Sequence, residues 1–174
     1  MKEPRAVWRD DVSRFAPLFL RLIVGYGFLV HGYAKLARGP EKFAAALDGL
    51  GVPNAHFMSW LTIWVELAGG LAILLGAFVV LASLPMAAVM ITAMFTVHYR
   101  FGFSSIKLVA VTPAGPQFGP PGYECNLLYL ACLAALVLGG PGPWAIDEFI
   151  EKRTRFYREK RASRKPHDFQ MSGS

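Results

Sequence analysis

The chain has 174 residues, of which 54% are hydrophobic and only 17% carry a formal charge. Soluble domains carry about 25% charged residues, so this balance is typical of a membrane protein, and the length allows one domain. The net charge of +6 does not indicate nucleic-acid binding, because the basic residues cluster near the two termini, beside apolar segments.

Four apolar segments, at about residues 15–34, 57–76, 80–99 and 123–139, are predicted to cross a bilayer as helices. The first follows a polar leader and has no small-residue cleavage site after it, so we expect a retained helix and not a signal peptide. One helix over residues 57–99 would be about 65 Å long, twice the thickness of the hydrocarbon core. The chain is therefore predicted to turn back between Gly76 and Pro85.

Three segments connect or follow the spans. Residues 36–56 form a loop with a short helix from Glu41 to Leu50, ended by glycines and a proline. Residues 100–122 contain four prolines and four glycines, which forbid a long helix; being apolar, the segment is predicted to lie at the membrane interface and cap the helices. In residues 144–157 the apolar residues recur near one face of a helix and the charged residues lie opposite, which predicts an amphipathic helix on the membrane surface.

Charged residues inside the spans are the candidates for function. Arg21, His31 and Lys35 fall on one helical stripe that also carries glycines, and Glu66 lies on a second stripe of small residues. A charge in the middle of a bilayer costs about 2.5–3.5 kcal/mol on insertion scales. We therefore expect these side chains to be neutral, paired or directed at other helices.

The distribution of basic residues predicts the orientation. Twelve Lys and Arg residues lie in the two terminal tails and five in the two long loops, so the positive-inside rule makes both termini cytoplasmic. This topology brings together, near the outer surface, the ends of several spans and the ionisable residues that they carry: His31, Lys35, Glu66, His98 and Glu124. Arg21 is expected about 15 Å deeper, toward the cytoplasm, with Asp147 as a candidate structural partner.

Simpler interpretations exist for each residue of this predicted polar cluster. Lys35 and Glu124 lie near span ends, where long side chains reach the lipid headgroups. His98 precedes Tyr99 and fits an interfacial aromatic belt. Arg21 and Glu66 are too deep for easy solvation, and either a structural ion pair or a functional site explains them.

The order of these residues resembles a known family. Arg21, His31-Gly-Tyr-Ala-Lys35, Glu66-Leu-Ala-Gly-Gly70, Glu124, then Gly140-Pro-Gly142 and Asp147 resemble the DoxX family of small four-helix bacterial membrane proteins. The resemblance covers roughly residues 15–150. It implies an all-α, four-helix integral membrane domain over residues 1–150, followed by a basic cytoplasmic tail over 151–174. Family members often carry a basic element after the position of Gly76, where this chain has Ala-Phe-Val-Val.

The resemblance also implies a range of functions. The family takes its name from the membrane subunit of a thiosulfate:quinone oxidoreductase, and other relatives are associated with membrane redox complexes. By this analogy the chain is a quinone-interacting or redox-associated subunit in the bacterial inner membrane, in contact with lipid and with other subunits. The chain has no metal, haem or flavin motif, so any redox group would be quinone or belong to a partner. Two alternatives are a non-catalytic membrane anchor of a larger complex and a small-molecule transporter, which would need to oligomerise.

Overall fold

A computed structural model describes residues 12–164 of the chain. Within this range the chain is mostly helical and forms one two-stranded hairpin, which the sequence did not predict. The elements, in chain order, are helices α1 (Ala16–Arg38), α2 (Pro40–Gly49), α3 (Ala55–Leu75) and α4 (Val79–Ala93), strands β1 (Leu108–Thr112) and β2 (Gly115–Phe118), and helices α5 (Glu124–Gly139) and α6 (Ile146–Arg164). The leader before residue 12 and the tail after residue 164 lie outside the described residues.

Three helical segments are long and apolar enough to cross a membrane: Ala16–Arg38, Ala55–Leu75 and Val79–Phe101. The last consists of α4 with its continuation through a π-helical turn (Met94–His98) and a 3₁₀ turn (Tyr99–Phe101). Helix α5 is apolar but has only 16 residues, fewer than the ~20 that a span needs. The three longer spans match the predicted ones within a few residues.

Close contact between α1 and α3 organises the fold. A Cβ atom at Gly25 would lie 2.8 Å from the carbonyl oxygen of Gly70, and one at Gly70 would lie 2.9 Å from that of Gly25. Only glycine permits this approach, because no side chain separates the two backbones. The two glycine stripes were predicted to face other helices, and the structure packs them against each other, which joins α1 to α3.

The core joins four helices. It contains Val24 and Phe28 of α1, Ile73 of α3, Val79 and Met86 of α4, and Leu133 and Leu136 of α5. The outer faces of the same helices expose large apolar side chains, among them Phe19, Trp64 and Leu81. Such a surface is unusual for a protein in water and suits contact with lipid.

The chain reverses between α3 and α4 in a turn of three residues, Gly76 to Phe78, at the start of the predicted interval. Gly76 and Phe78 both adopt left-handed backbone conformations, with φ of 66° and 50°. Pro85 lies inside α4 and does not mark the turn. We call the end of the molecule that carries this turn the turn end, and the opposite end, which carries the β-hairpin, the hairpin end.

The segment between α4 and α5 forms the antiparallel hairpin β1–β2. Aromatic rings join it to the helices: Tyr99 stacks on Tyr123 at 5.8 Å, and Phe103 meets Tyr123 edge to face at 5.6 Å. The prolines and glycines of this segment therefore exclude a long helix, as predicted, and the chain uses them in a compact hairpin.

Candidate functional site

The predicted charged residues fall into separate groups in the structure. Arg21 lies at the turn end, while Lys35 and Glu66 form a pair between α1 and α3. Since fourteen residues of helix separate Arg21 from Lys35, about 21 Å along α1, Arg21 does not belong to the same cluster. Three predicted residues remain, and they lie toward the hairpin end: His31, His98 and Glu124.

Lys35 and Glu66 bind each other directly. The Lys35 Nζ donates to both carboxylate oxygens of Glu66, at 2.7 Å to Oε1 and 2.6 Å to Oε2. Glu66 is only 1% exposed, whereas the Lys35 side chain is 24% exposed and its ammonium also lies 5.3 Å from the centre of the Phe43 ring. The pair thus joins a fully buried carboxylate to a cation that reaches the molecular surface.

The glycine next to this pair makes the burial of Glu66 possible. A Cβ atom at Gly32 would lie 2.9 Å from Leu67 and 3.1 Å from the Cβ of Glu66. Helix α1 can therefore lie directly over the start of the Glu66 side chain. Burying one charge of a pair without the other is strongly unfavourable, so Lys35 is a structural requirement for Glu66 whatever else the pair does.

His31 borders the pair on the outside of the molecule. It precedes Lys35 by one helical turn, so both lie on the same side of α1. Its exposed ring lies 6.5 Å from the ring of Tyr129 on α5. His31, Lys35 and Tyr129 together form a polar edge on an otherwise apolar surface.

His98 and Glu124 contact loop backbone. The Nδ1 of His98 lies 3.1 Å from the carbonyl oxygen of Pro121, which requires that nitrogen to carry the proton. Glu124 Oε2 accepts a hydrogen bond of 2.9 Å from the backbone N–H of Ser105. Both residues therefore hold the hairpin segment against the ends of α4 and α5.

Arg21 is bound entirely by backbone oxygens. It is 3% exposed and donates to the carbonyls of Ile73 and Leu74 at 3.3 and 3.1 Å, and to those of Pro141 and Pro143 at 3.0 and 3.1 Å. The first two are carbonyls of the last turn of α3, where helical N–H donors run out; the carbonyl of Ile73 also accepts from the N–H of Gly76 at 3.0 Å. A cation at this position also complements the negative end of the helix dipole.

Asp147 binds the same turn from the other side. Its carboxylate accepts hydrogen bonds from the N–H groups of Phe78 and Val79, at 2.7 and 2.9 Å, and so caps the first turn of α4. Its own N–H donates to the carbonyl of Gly76 at 3.0 Å. Arg21 and Asp147, the candidate structural pair, lie at the same end of the molecule: Arg21 binds backbone of α3 and of the loop after α5, and Asp147 binds the turn that follows α3.

Sequence reasoning missed two polar residues that the structure makes important. Asn126 is buried on α5 and donates to the carbonyl of Met90 at 3.2 Å, just before α4 widens into its π-helical turn. Tyr129 lies over Gly27, where a Cβ atom would collide with its hydroxyl group. An amide in an apolar span was a usable signal for Asn126. Tyr129 resembled an ordinary interfacial aromatic residue.

Comparison with known protein families finds a match for part of the chain. The DoxX family model matches residues 16–99, just under half of the chain, and this range holds Arg21, the Lys35–Glu66 pair and His98. Over this range the chain is similar to the DoxX family.

Two relatives of this protein extend the match beyond residue 99. An uncharacterized membrane protein of Mycobacterium tuberculosis is 29% identical over 141 residues, covering 77% of this chain and 80% of the relative. An uncharacterized protein of Haemophilus influenzae is 28% identical over 149 residues, covering 83% of this chain and 99% of the relative. No solved structure matches the chain significantly. The family match, the relatives and the three apolar spans together indicate a membrane protein similar to the DoxX family.

Proposed function

We propose that this protein is a quinone-interacting subunit of a membrane oxidoreductase, and that the headgroup binds at the polar edge formed by His31, Lys35 and Tyr129. The observation that carries the proposal is the Lys35–Glu66 pair. Its carboxylate is fully buried, while its ammonium reaches the surface between α1 and α2. A buried ionic group at the edge of an apolar span is a functional candidate by default.

The donor groups of this edge fit a quinone. A quinone headgroup has two carbonyl acceptors, and an ammonium has three N–H donors, of which the Glu66 carboxylate engages two. Lys35 therefore retains a donor for one carbonyl, and the His31 ring, a turn away on the same side, supplies a donor or a proton acceptor. A bound quinone would supply two-electron, two-proton chemistry to a redox partner. The chain itself would orient the headgroup and exchange a proton at His31.

A matched pair of histidine variants tests this proposal. The protein in nanodiscs is titrated with menaquinone or ubiquinone, alone and with the proteins that copurify with it. We expect saturable binding that His31→Ala weakens by about tenfold, the effect of losing one hydrogen bond. His56→Ala is the control, because His56 is an exposed histidine bound to Glu41 at 3.0 Å, away from this edge. The absence of saturable binding, alone or with partners, would refute the proposal.

A non-catalytic anchoring role is the second candidate, and one observation favours it. Arg21, Asp147 and Glu124 all bind backbone and make both ends of the helical body rigid. A rigid body of this kind can hold a partner without taking part in chemistry. Isolation of the protein from native membranes distinguishes the two candidates. An anchor copurifies in a stoichiometric complex with a cofactor-bearing enzyme, and His31→Ala leaves the activity of that complex unchanged.

The proposal includes four membrane spans, with α5 as the fourth, in the inner membrane of a bacterium and with both termini in the cytoplasm. Two features support it: α5 shares the apolar core with the three longer spans, and the basic residues concentrate in the tails. Labelling of single cysteines in intact cells and in inverted vesicles tests the topology. A cysteine at residue 114 in the hairpin loop should react with an impermeant reagent in intact cells, and one at residue 170 should react only in inverted vesicles.

A further inference from the structure

The hairpin β1–β2 exposes apolar side chains at the hairpin end. Val109 is 70% exposed, Val111 75% and Phe118 59%, and neither strand carries a charged residue. Within residues 12–164 the sheet consists of these two strands, so each strand has one edge that no described strand covers. An uncharged apolar edge is a template for the addition of a further strand.

The two free edges of the hairpin differ in their backbone groups. Val111 lies directly opposite Pro116, which has no N–H, so this position is a non-hydrogen-bonded pair of the antiparallel ladder. At such a pair the backbone groups of both residues point away from the ladder, toward the free edges. Pro116 blocks the β2 edge, because its ring replaces the N–H that a new strand would need. At the β1 edge, Val111 presents both a donor and an acceptor.

Backbone hydrogen bonds hold the hairpin at a fixed height on the helices. The N–H groups of Gly122, Tyr123 and Glu124, at the start of α5, donate to the carbonyls of residues 102–104 at 3.0 to 3.1 Å. Residues 102–104 directly follow the span that ends at Phe101. Two copies inserted in one bilayer with the same orientation therefore present their β1 edges at the same depth.

We propose that β1 pairs with β1 of a second copy of this chain, antiparallel and centred on Val111, in a dimer with twofold symmetry. In this register the N–H of each Val111 donates to the carbonyl of the other, as in any hydrogen-bonded pair of an antiparallel ladder. The two β1 strands form the middle of a four-stranded sheet, and the two β2 strands, with Pro116, form its edges. The twofold axis of such a dimer is the membrane normal, so β1 runs along the membrane plane.

Charge and side-chain size favour a second copy as the occupant of this edge. The nearest charged residue along the chain is Lys107, four residues from Val111, so the two Lys107 residues lie about 27 Å apart along the paired strands. This separation exceeds the Debye length of about 8 Å, so their repulsion is screened. The two Val111 side chains form a β-branched pair, which stabilises a sheet. A second copy is also confined to the same bilayer, which raises its effective concentration.

Disulfide cross-linking in liposomes tests the pairing and its register. Single cysteines are placed in the full chain with Cys125→Ser and Cys132→Ser, and copper phenanthroline is the oxidant. Val111→Cys should cross-link two copies, because Cα atoms of a hydrogen-bonded pair are about 5.5 Å apart. Gln117→Cys, on the exposed surface of β2, is the control. Its two copies would be three strand spacings apart, about 14 Å, and should not cross-link.

Photobleaching of single dye-labelled molecules in liposomes measures the dimer with β1 intact. The dye is attached through Gly49→Cys in the same background, because no atom lies within 4 Å of the Cβ position there. Val111→Lys places two cations directly opposite each other and should lower the dimerisation constant about tenfold. Phe118→Lys is the matched control, since it adds the same charge at an exposed apolar position of β2. It should change the dimerisation constant by less than about threefold.

Three outcomes would overturn the proposal. Equal cross-linking of Val111→Cys and Gln117→Cys would mean that the copies meet by random collision. A protein that stays monomeric at every ratio of protein to lipid would mean that lipid headgroups or a strand of another protein cover β1. Equal loss of dimer in both lysine variants would mean that apolar contact of the whole hairpin, and not strand pairing at β1, joins the copies. None of these readouts depends on quinone binding, so the proposal is independent of the proposed function.

Discussion

The turn end and the Lys35–Glu66 pair both hold buried charge, but they satisfy it in different ways. At the turn end, Arg21 donates to four backbone carbonyls of α3 and of the loop after α5. In the middle of α3, Glu66 depends on one side chain, Lys35. The first arrangement engages four of the five guanidinium N–H donors with backbone inside the fold. The second leaves a cation at the surface with a donor for another molecule.

Arg21 and the Lys35–Glu66 pair look alike in the sequence, as charges inside apolar spans. The difference between their partners suits Arg21 to a structural role and the pair to a functional one. The partners of Arg21 are backbone carbonyls, which no substitution removes. The loss of Arg21 therefore cannot be compensated by also removing its partners. A pair of side chains can be replaced together by apolar residues, often at little cost in stability. If Lys35 and Glu66 are retained for function, their joint replacement should spare the fold and abolish binding. The predictions below test this contrast.

The largest effect is expected at Arg21. Arg21→Ala removes four hydrogen bonds of a side chain that is 3% exposed, although the Ile73 carbonyl keeps its bond from the N–H of Gly76, and should lower the free energy of unfolding by about 4 kcal/mol. No second substitution should restore the lost stability. The measurement is unfolding in mixed micelles by titration with a denaturing detergent, with Arg38→Ala, at the exposed end of the same helix, as the control. A loss below about 1 kcal/mol would show that water replaces the guanidinium.

The Lys35–Glu66 pair should behave as a coupled unit. Lys35→Met leaves a buried carboxylate unpaired and should cost about 3 kcal/mol in the same unfolding measurement. Lys35→Met combined with Glu66→Leu should recover most of this loss, to within about 1 kcal/mol of the unsubstituted protein. The double variant should nevertheless bind no quinone. If the folded double variant still binds quinone, the Lys35–Glu66 pair is not part of the quinone site.

The turn end should also be sensitive at Gly76. A Cβ atom there would lie 2.6 Å from the Cβ of Ala145 and 2.8 Å from Cζ of Arg21, and the backbone has a left-handed φ of 66°. Gly76→Ala should therefore cost about 2 kcal/mol. Gly139→Ala is the matched control, because no atom lies within 4 Å of the Cβ position there. Similar stabilities for the two variants would mean that the turn can relax.

A smaller effect is expected for the cap of α4. Asp147→Ala removes the acceptor of two N–H groups and should cost about 1 kcal/mol, while Asp147→Asn, which keeps one side-chain acceptor oxygen, should cost less. Hydrogen–deuterium exchange should be faster in α4 near residues 79–82 and in the first turn of α6. Unchanged exchange in α6 would show that this helix does not depend on Asp147 for its position.

The smallest effect concerns the surface of α6. The pKa of Glu148 is lowered, chiefly by its hydrogen bond from Lys152. A carboxyl group with a lowered pKa stabilises the folded form above its ordinary pKa, and this contribution is lost as the pH falls through the lowered value. Acid should therefore increase amide exchange in α6. Glu148→Gln should remove this response, and a variant that keeps it would show that Glu148 is not its cause.

The sequence alone determined the class of the protein and much of its architecture. Apolar runs of about 20 residues predict spans because a helix must satisfy its own backbone in lipid, and this requirement acts on each segment separately. The stripes of glycine predicted which face of each helix turns toward the bundle, because small residues let another helix approach closely. The DoxX resemblance, drawn from residues between Arg21 and Asp147, is confirmed over residues 16–99.

The partner of each polar group was decided only by the tertiary structure. A sequence shows that Arg21 and Asp147 need partners, but it does not show that each would bind backbone atoms at the turn end. Left-handed conformations at Phe78 and Trp144 and the hairpin between α4 and α5 likewise depend on contacts between distant segments. The hydrophobicity of a segment is a sum over its own residues, so the sequence shows it directly. A hydrogen bond needs two particular atoms within about 3 Å of each other, and these atoms lie far apart in the sequence. The packing of α1 on α3, and not the composition of either, brought Lys35 to Glu66.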